Sequence, residues 1–240
     1  MQYIYEAKKN YENFASGRVL YGHAGASNYP VRLAAEIFAH CKSHIEKHNL
    51  IVYDPCCGSA YMLTCLGFLF SDTIVEIHGS DINENALGFA LKNVSLLTAD
   101  GLNQRKDQLI SLYKEYKKES HKEAIDSTIF FENIIGSREI KPVINIFKFD
   151  ITDVSTFEYT AFKADIVITD VPYGNLVTWS EEDGINKMLD SLKIVINRDS
   201  VVAVSSDKKQ KIKHDDFVRL EKIQVGKRKI EILKLMTDIE

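Results

Sequence analysis

The sequence predicts an α/β fold built on a mostly parallel sheet, with an N-terminal helical extension, a helical insertion and a C-terminal antiparallel hairpin. Three observations carry this. Strand-like apolar runs alternate with helix-like stretches along most of the chain. Two of those runs, Ile51 to Asp54 and Asp165 to Asp170, deliver an acid into a turn-forming segment. Near the end, the β-prone segments 217–223 and 229–236 are joined by too little chain for a helical crossover, so they should pair antiparallel.

Each element follows in order. At 240 residues the chain can bury one substantial core, so residues 1–240 are expected to form one elaborated domain. The extension, 1–48, begins without the apolar stretch and small-residue cleavage site of an export signal, and a cytoplasmic location is expected. Gly17, Gly22, Gly25, Ser27 and Asn28 mark a loop over 16–29, either a lid or a surface strap. Pro30 then suits a first helical position, and apolar spacing predicts a helix over 31–48. His40, His44 and His48 recur every fourth residue on it; such a row can chelate a metal, but a solvated face is the simpler reading, and no metal is expected.

The first strand ends at Asp54, and a helix starts near Tyr61. Thr73 to Asp81 reads as a second strand and Asn85 to Leu97 as a helix. Residues 100–140 are charged, helix-prone and too long for an ordinary connection, hence the helical insertion. Strands at 143–150, 165–170 and 200–206 resume the alternation, with a helix near 183–194 between the last two, before the hairpin at 217–236. Five crossover strands followed by a terminal hairpin is the order of a Rossmann-like methyltransferase sheet.

Composition narrows the chemistry. Cys41, Cys56, Cys57 and Cys65 lie in the first third, two of them adjacent, which suits free thiols in a reducing compartment better than disulfides or metal knuckles. No apolar run approaches the roughly 18 residues of a membrane span, so no membrane partner is expected. The net charge of −4 does not advertise nucleic-acid binding. Its distribution matters more, because residues 208–229 hold nine Lys or Arg against three acids, a local +6 that leaves −10 elsewhere. A solvated basic face and an RNA contact are equally compatible with that segment.

The strand ends supply candidate site residues. S-adenosylmethionine presents a sulfonium, an ammonium and carboxylate, a ribose diol and adenine, and strand tips followed by helix starts are where open α/β sheets bind such ligands. In Asp54-Pro55-Cys56-Cys57-Gly58-Ser59-Ala60, Asp54 can accept from the ammonium and Gly58 permits close main-chain approach; Ala60 stands where a third glycine is usual. Asp81, 23 residues beyond Gly58, is near the roughly 20-residue offset of a ribose-binding acid, although it could equally cap the next helix. Asp150 can meet the adenine amino group or cap a turn. Thr169-Asp170-Val171-Pro172-Tyr173-Gly174 offers an acid as base, carbonyls fixed by Pro172 and an aromatic ring, Tyr173, to stack on a nucleobase. A dinucleotide oxidoreductase is disfavoured because no G-x-G-x-x-G loop is present. A non-catalytic S-adenosylmethionine-binding module, or transfer to an exocyclic amino group, remains as an alternative.

With these residues in place the chain resembles the AviRa family of 23S ribosomal RNA methyltransferases over most of its length. The resemblance rests on Tyr29 to Phe38, Asp54 to Thr64 with its double cysteine, Gly79 to Leu87, Gly101 to Arg105, Thr169 to Gly174 and Trp179. It implies S-adenosylmethionine as donor without a metal, and a guanine of 23S rRNA, alone or in the large ribosomal subunit, as acceptor, at a ring nitrogen. It also implies that Asp54, Gly58 and Asp81 hold the donor, and Cys56, Ser59, Ile82 and Asp150 beside them at the strand ends complete the expected donor site. Asp170 and Tyr173 would then be catalytic, with Pro172, Arg32, Lys208, Lys209, Lys211, Lys227 and Arg228 on the RNA side. The family's association with antibiotic resistance transfers less directly, since the same activity also suits housekeeping.

Overall fold

A computed structural model describes residues 3–22, 28–156, 162–171 and 183–236. In chain order the elements are α1 (Val31–Lys42), β1 (Leu50–Asp54), α2 (Tyr61–Leu69), β2 (Ile74–Asp81), α3 (Glu84–Ser95), α4 (Ala99–Tyr116), α5 (Glu119–Ser137), β3 (Val143–Lys148), β4 (Ala164–Asp170), α6 (Gly184–Leu192), β5 (Ile196–Asp207), β6 (Phe217–Val225) and β7 (Arg228–Leu235). The strands form one sheet in the order β3-β2-β1-β4-β5-β7-β6, with the first five parallel and β7 antiparallel to both its neighbours. The mostly parallel sheet, the helical insertion and the terminal hairpin are as the sequence predicts, and the insertion consists of the two helices α4 and α5.

Strand alternation sorts side chains onto two covered faces. Val52, Ile166, Ile168, Val201, Ala203, Ile230 and Ile232 join α1, α2 and α3 in one core. Tyr53, Val167, Val202, Val204 and Leu233 point the other way, onto Ile185, Met188, Leu189 and Leu192 of α6. The insertion packs beside the first core through Phe131, whose ring meets Phe14 and Phe68. Arg138, just beyond α5, closes its base by donating to the carbonyls of Leu97 and Gly67 at 3.0 and 2.6 Å.

Helix α1 departs from expectation. It stops at Lys42 rather than 48, because the Ser43 hydroxyl turns back to the His40 carbonyl at 2.7 Å while its N–H closes the last turn. The expected solvated histidine row is therefore not formed. His40 is 5% exposed, and both it and His44 lie against Glu221 of β6, at 2.7 and 2.6 Å. His48 falls beyond the helix. Among the described residues no helix is long and apolar enough to cross a membrane.

Candidate active site at the strand tips

Strand order reverses between β1 and β4, which are hydrogen-bonded neighbours with Tyr53 opposite Val167. A crevice at such a reversal, outside the carboxyl ends of the strands, is where α/β sheets take their ligands. Three acids converge there. Asp54 ends β1, Asp81 ends β2 and Asp170 ends β4, and the charges of Asp81 and Asp170 are both felt at Asp54.

The β1–α2 turn is built by backbone bonds. Cys56 N donates to Asp54 Oδ1 at 3.0 Å, Cys57 N to the Ser80 carbonyl at 2.9 Å, and Gly58 N to Asp81 Oδ2 at 2.8 Å. Gly58 and Ala60 both have φ of +53°. The alanine carries the strain of that conformation, about 1 kcal/mol, whereas the glycine does not. Among the described residues a Cβ on Gly58 would meet no atom within 4 Å, which leaves its outer side open to them. Gly79 is required for the opposite reason, since a Cβ there would come within 2.9 Å of Ile146 and Leu63 and 3.1 Å of the Cys57 sulfur.

Burial is the first influence on Asp54. The side chain is 2% exposed, and desolvation pushes its pKa up to about 7 against the opposing contacts of Thr169 and the Cys56 N–H. Thr169 stands near enough to influence both Asp54 and the Cys56 thiol, but its hydroxyl makes no well-formed hydrogen bond. Burial and the surrounding acids likewise keep the Cys56 and Cys57 thiols well above the ordinary range. All four cysteines are free.

Asp81 does not cap α3. That task falls to Asn83, which accepts from Asn85 N and Ala86 N, while Asp81 holds Gly58 N with one oxygen and Asn83 N with the other at 2.9 Å. Each oxygen retains capacity for a further donor. Ile82 follows it as an apolar side chain 62% exposed. Asp150 lies beyond β3 and caps a turn, accepting from the Thr152 N–H and hydroxyl at 2.9 and 2.7 Å. The Ser59 carbonyl accepts from Asn93 Nδ2 at 3.0 Å.

Asn93 and Tyr29 join the site without having been singled out for it from sequence. Asn93, fully buried on α3, also accepts from Tyr21 N at 2.8 Å and donates to the Tyr21 carbonyl at 3.1 Å, tying residues 17–22 to the β1–α2 turn. The described part of the 16–29 loop is thus a strap. Arg105 holds its backbone too, donating to the carbonyls of Val19 and Arg18. Tyr29 is 6% exposed and its hydroxyl reaches Ser205 Oγ on β5 at 3.2 Å.

On the basic side, the lysines and Arg228 separate. Lys208, Lys209, Lys211 and Lys227 are exposed. The Lys208 N–H donates to the Lys227 carbonyl at 2.9 Å, which joins the β5 end to the hairpin turn at the same edge as the acids. Arg228 is largely covered, with Nη2 3.5 Å from Asp170 Oδ2 and its guanidinium 5.1 Å from the Tyr29 ring centroid. Arg32 instead stacks on Tyr3 and donates to the Glu6 carbonyl, holding the N-terminal segment. Arg219 and Lys229 pair with Glu231. Pro172, Tyr173 and Trp179 lie outside the described residues.

A Rossmann-like sheet whose first, second and fourth strands each end in an acid around a tight turn defines the class of α/β enzymes that bind nucleotide-like cofactors at this edge. Within that class the chain belongs to the family of the rRNA methyltransferase AviRa, whose model matches residues 1–228. A relative from Streptomyces viridochromogenes named 23S rRNA (guanine(2535)-N(1))-methyltransferase is 28% identical over 240 residues, covering 95% of this chain and 93% of its own. Two solved structures of the rRNA methyltransferase AviRa from that organism superpose with TM-scores of 0.86 and 0.87 at 27% identity, over 95% of this chain and 94% of theirs. TrmN from Thermus thermophilus, at 13% identity and a TM-score of 0.52 over 86% of this chain and 49% of its own, shares the fold.

Proposed function

We propose that this protein transfers a methyl group from S-adenosylmethionine to N1 of a guanine in 23S rRNA. The observation that carries the reading is the convergence of Asp54, Asp81 and Asp170 at the β1/β4 reversal, joined to membership of an rRNA methyltransferase family. Three features suit the donor. The cluster of acids favours a sulfonium and an ammonium, the open side of Gly58 admits a chain close to the backbone, and exposed Ile82 beside Asp81 offers an apolar face next to a diol acceptor. Asp54, Cys56, Gly58 and Ser59 would hold the amino-acid part, with Asp81, Ile82 and Asp150 on the nucleoside part. Once bound, S-adenosylmethionine supplies an electrophilic methyl group.

The chain's own residues then have to place and prepare the base. Asp170 accepts the N1 proton, because guanine N1 becomes a nucleophile only when that proton leaves. Tyr173 would stack on the base, and Lys208, Lys209, Lys211 and Lys227 would meet phosphates as point charges. Orientation of two reactants in a shaped site supplies most of the acceleration, with no covalent enzyme intermediate. An rRNA substrate, free or within the large subunit, fits work done in the cytoplasm.

The test incubates the protein and labelled donor with unmodified 23S rRNA and with large subunits, then identifies the methylated nucleoside by mass spectrometry. N1-methylguanosine is expected. N2-methylguanosine would move the assignment to an exocyclic amino group, and donor uptake without transfer would leave a binding module.

A further inference from the structure

We propose that Arg228 is a catalytic residue, donating to guanine O6 and holding the negative charge that develops there while Asp170 removes the N1 proton. The inference rests on the guanine-N1 reading above and adds a specific electrophile to it. It starts from an imbalance in acidity. Guanine N1–H is ionised in water only well above neutral pH, so a carboxylate alone is too weak a base to take its proton, and a second group has to stabilise the resulting anion. That anion is shared between N1 and its neighbour O6.

The pair at the β4 tip has the matching form. Asp170 offers an acceptor and Arg228, 3.5 Å away, offers donors, which is the complement of an N1–H donor beside an O6 acceptor. Adenine presents the reverse order at the corresponding edge and would face acceptor with acceptor. The same pair therefore also selects the base.

Arg228 is built differently from the lysines around it. It opens β7 opposite Asp207 of β5, its guanidinium lies over the Tyr29 ring, and the Tyr29 hydroxyl is tied to Ser205. Its side chain is 22% exposed, whereas Lys208, Lys209, Lys211 and Lys227 stand in solvent. A guanidinium braced by an aromatic ring on a strand is suited to a fixed donor position rather than to tracking a phosphate backbone.

The step balances. The N1–H bond breaks with its proton going to the Asp170 carboxylate, the N1 electron pair forms the N–C bond to the methyl group, and the C–S electron pair returns to sulfur. Arg228 keeps its proton throughout, and the charge it stabilises on O6 disappears as the N–C bond forms.

The experiment measures single-turnover methylation of rRNA across pH 6.5–9.5 for the wild type, Arg228→Met, Arg228→Lys and Lys227→Ala. First the wild type must form N1-methylguanosine; a different product or none overturns the parent reading before any variant is compared. Given that product, Arg228→Met is expected to lose roughly 10²-fold at pH 7. Its RNA affinity should change little, and the deficit should narrow as pH rises, because hydroxide then ionises N1 without help. Arg228→Lys keeps a charge and should show a smaller deficit with the same narrowing. Lys227→Ala should raise the RNA concentration required, and its deficit should not narrow as pH rises. A deficit in Arg228→Met or Arg228→Lys that is independent of pH, or confined to RNA affinity, overturns the proposal. If Arg228→Met fails to bind donor through misfolding, Arg228→Lys decides alone.

Discussion

Asp54 and Glu231 are both carboxylates at 2% exposure, and the protein treats them in opposite ways. Around Glu231 burial again raises the pKa, but hydrogen bonds and charge from Lys229 and Arg219 outweigh it and bring the group below its ordinary value. Among the described residues no cation pairs with Asp54; burial dominates, Asp81 and Asp170 add to it, and the carboxyl rises to about 7. The β7 acid is a completed structural pair. The β1 acid lacks such a counter-charge among the described residues, and on the proposed reading a cationic donor would provide it.

The most damaging way to probe the contrast is to make Glu231 resemble Asp54. Lys229→Met leaves a buried carboxylate with Arg219 alone and should cost roughly 3–5 kcal/mol, lowering Tm by roughly 10 °C. Since the folded pKa of Glu231 is depressed, its contribution is present above the unfolded value near 4.5 and is lost as pH falls through the folded value. Thermal melts should accordingly show the full deficit at pH 7 and a shrinking one below about pH 4. A deficit equally large at pH 3 would mean that packing, not charge, holds this strand.

The reverse manoeuvre removes the charge from Asp54. Its folded pKa is raised from 3.8 to about 7, so the stability linked to its neutral form is fully present below the unfolded value and is lost as pH climbs to the folded one. Asp54→Asn should therefore stabilise the ligand-free protein by roughly 2–4 kcal/mol at pH 8 and by little at pH 4. The same change should weaken binding of S-adenosylmethionine by at least about tenfold, through loss of a charge-assisted contact. Calorimetry and melts on one variant read both effects. Gain of stability with undiminished donor binding would detach Asp54 from the cofactor.

How much of this was legible follows from the range of the interactions. Strands ending at Asp54, Asp81 and Asp170 announce themselves by apolar runs closed by an acid, a local pattern. The insertion was visible for the same reason, as a continuous charged helical stretch. What escaped depends on residues far apart. His40 and His44 read as solvated until Glu221 is placed against them from β6. Asn93 reads as one more polar helix residue until its amide is seen to bind Tyr21 and Ser59. Nor could the hairpin reveal which of its strands enters the sheet. β7 does, and it is buried along most of its length, leaving β6 as the edge with its alternating exposed side chains.

Asn93→Ala removes three hydrogen bonds from a fully buried site and leaves Tyr21 N–H, the Tyr21 carbonyl and the Ser59 carbonyl without them. Destabilisation of about 2 kcal/mol is expected. If the strap and the turn work as one unit, donor affinity should fall beyond what stability explains, and hydrogen exchange at Tyr21 and Gly58 should rise together. Faster exchange at Tyr21 alone would show that the strap is independent of the site.

The gentlest perturbation is the most specific one. Gly58→Ala places a methyl group where no atom of the described residues lies within 4 Å, so the expected cost to the ligand-free fold is that of a left-handed conformation, about 1 kcal/mol. Ala60 already bears the same φ of +53° in this turn, which makes such a cost tolerable here. Any loss of donor affinity larger than that conformational cost must come from the methyl group occupying space the donor uses. Titration calorimetry on Gly58→Ala, set beside its melting curve, separates the two quantities. Equal losses would assign Gly58 to the turn alone. A donor loss of tenfold or more beside a shift of only a few degrees in Tm would place the cofactor against its open face, and would make the buried acid in the same turn, Asp54, the partner of the arriving charge.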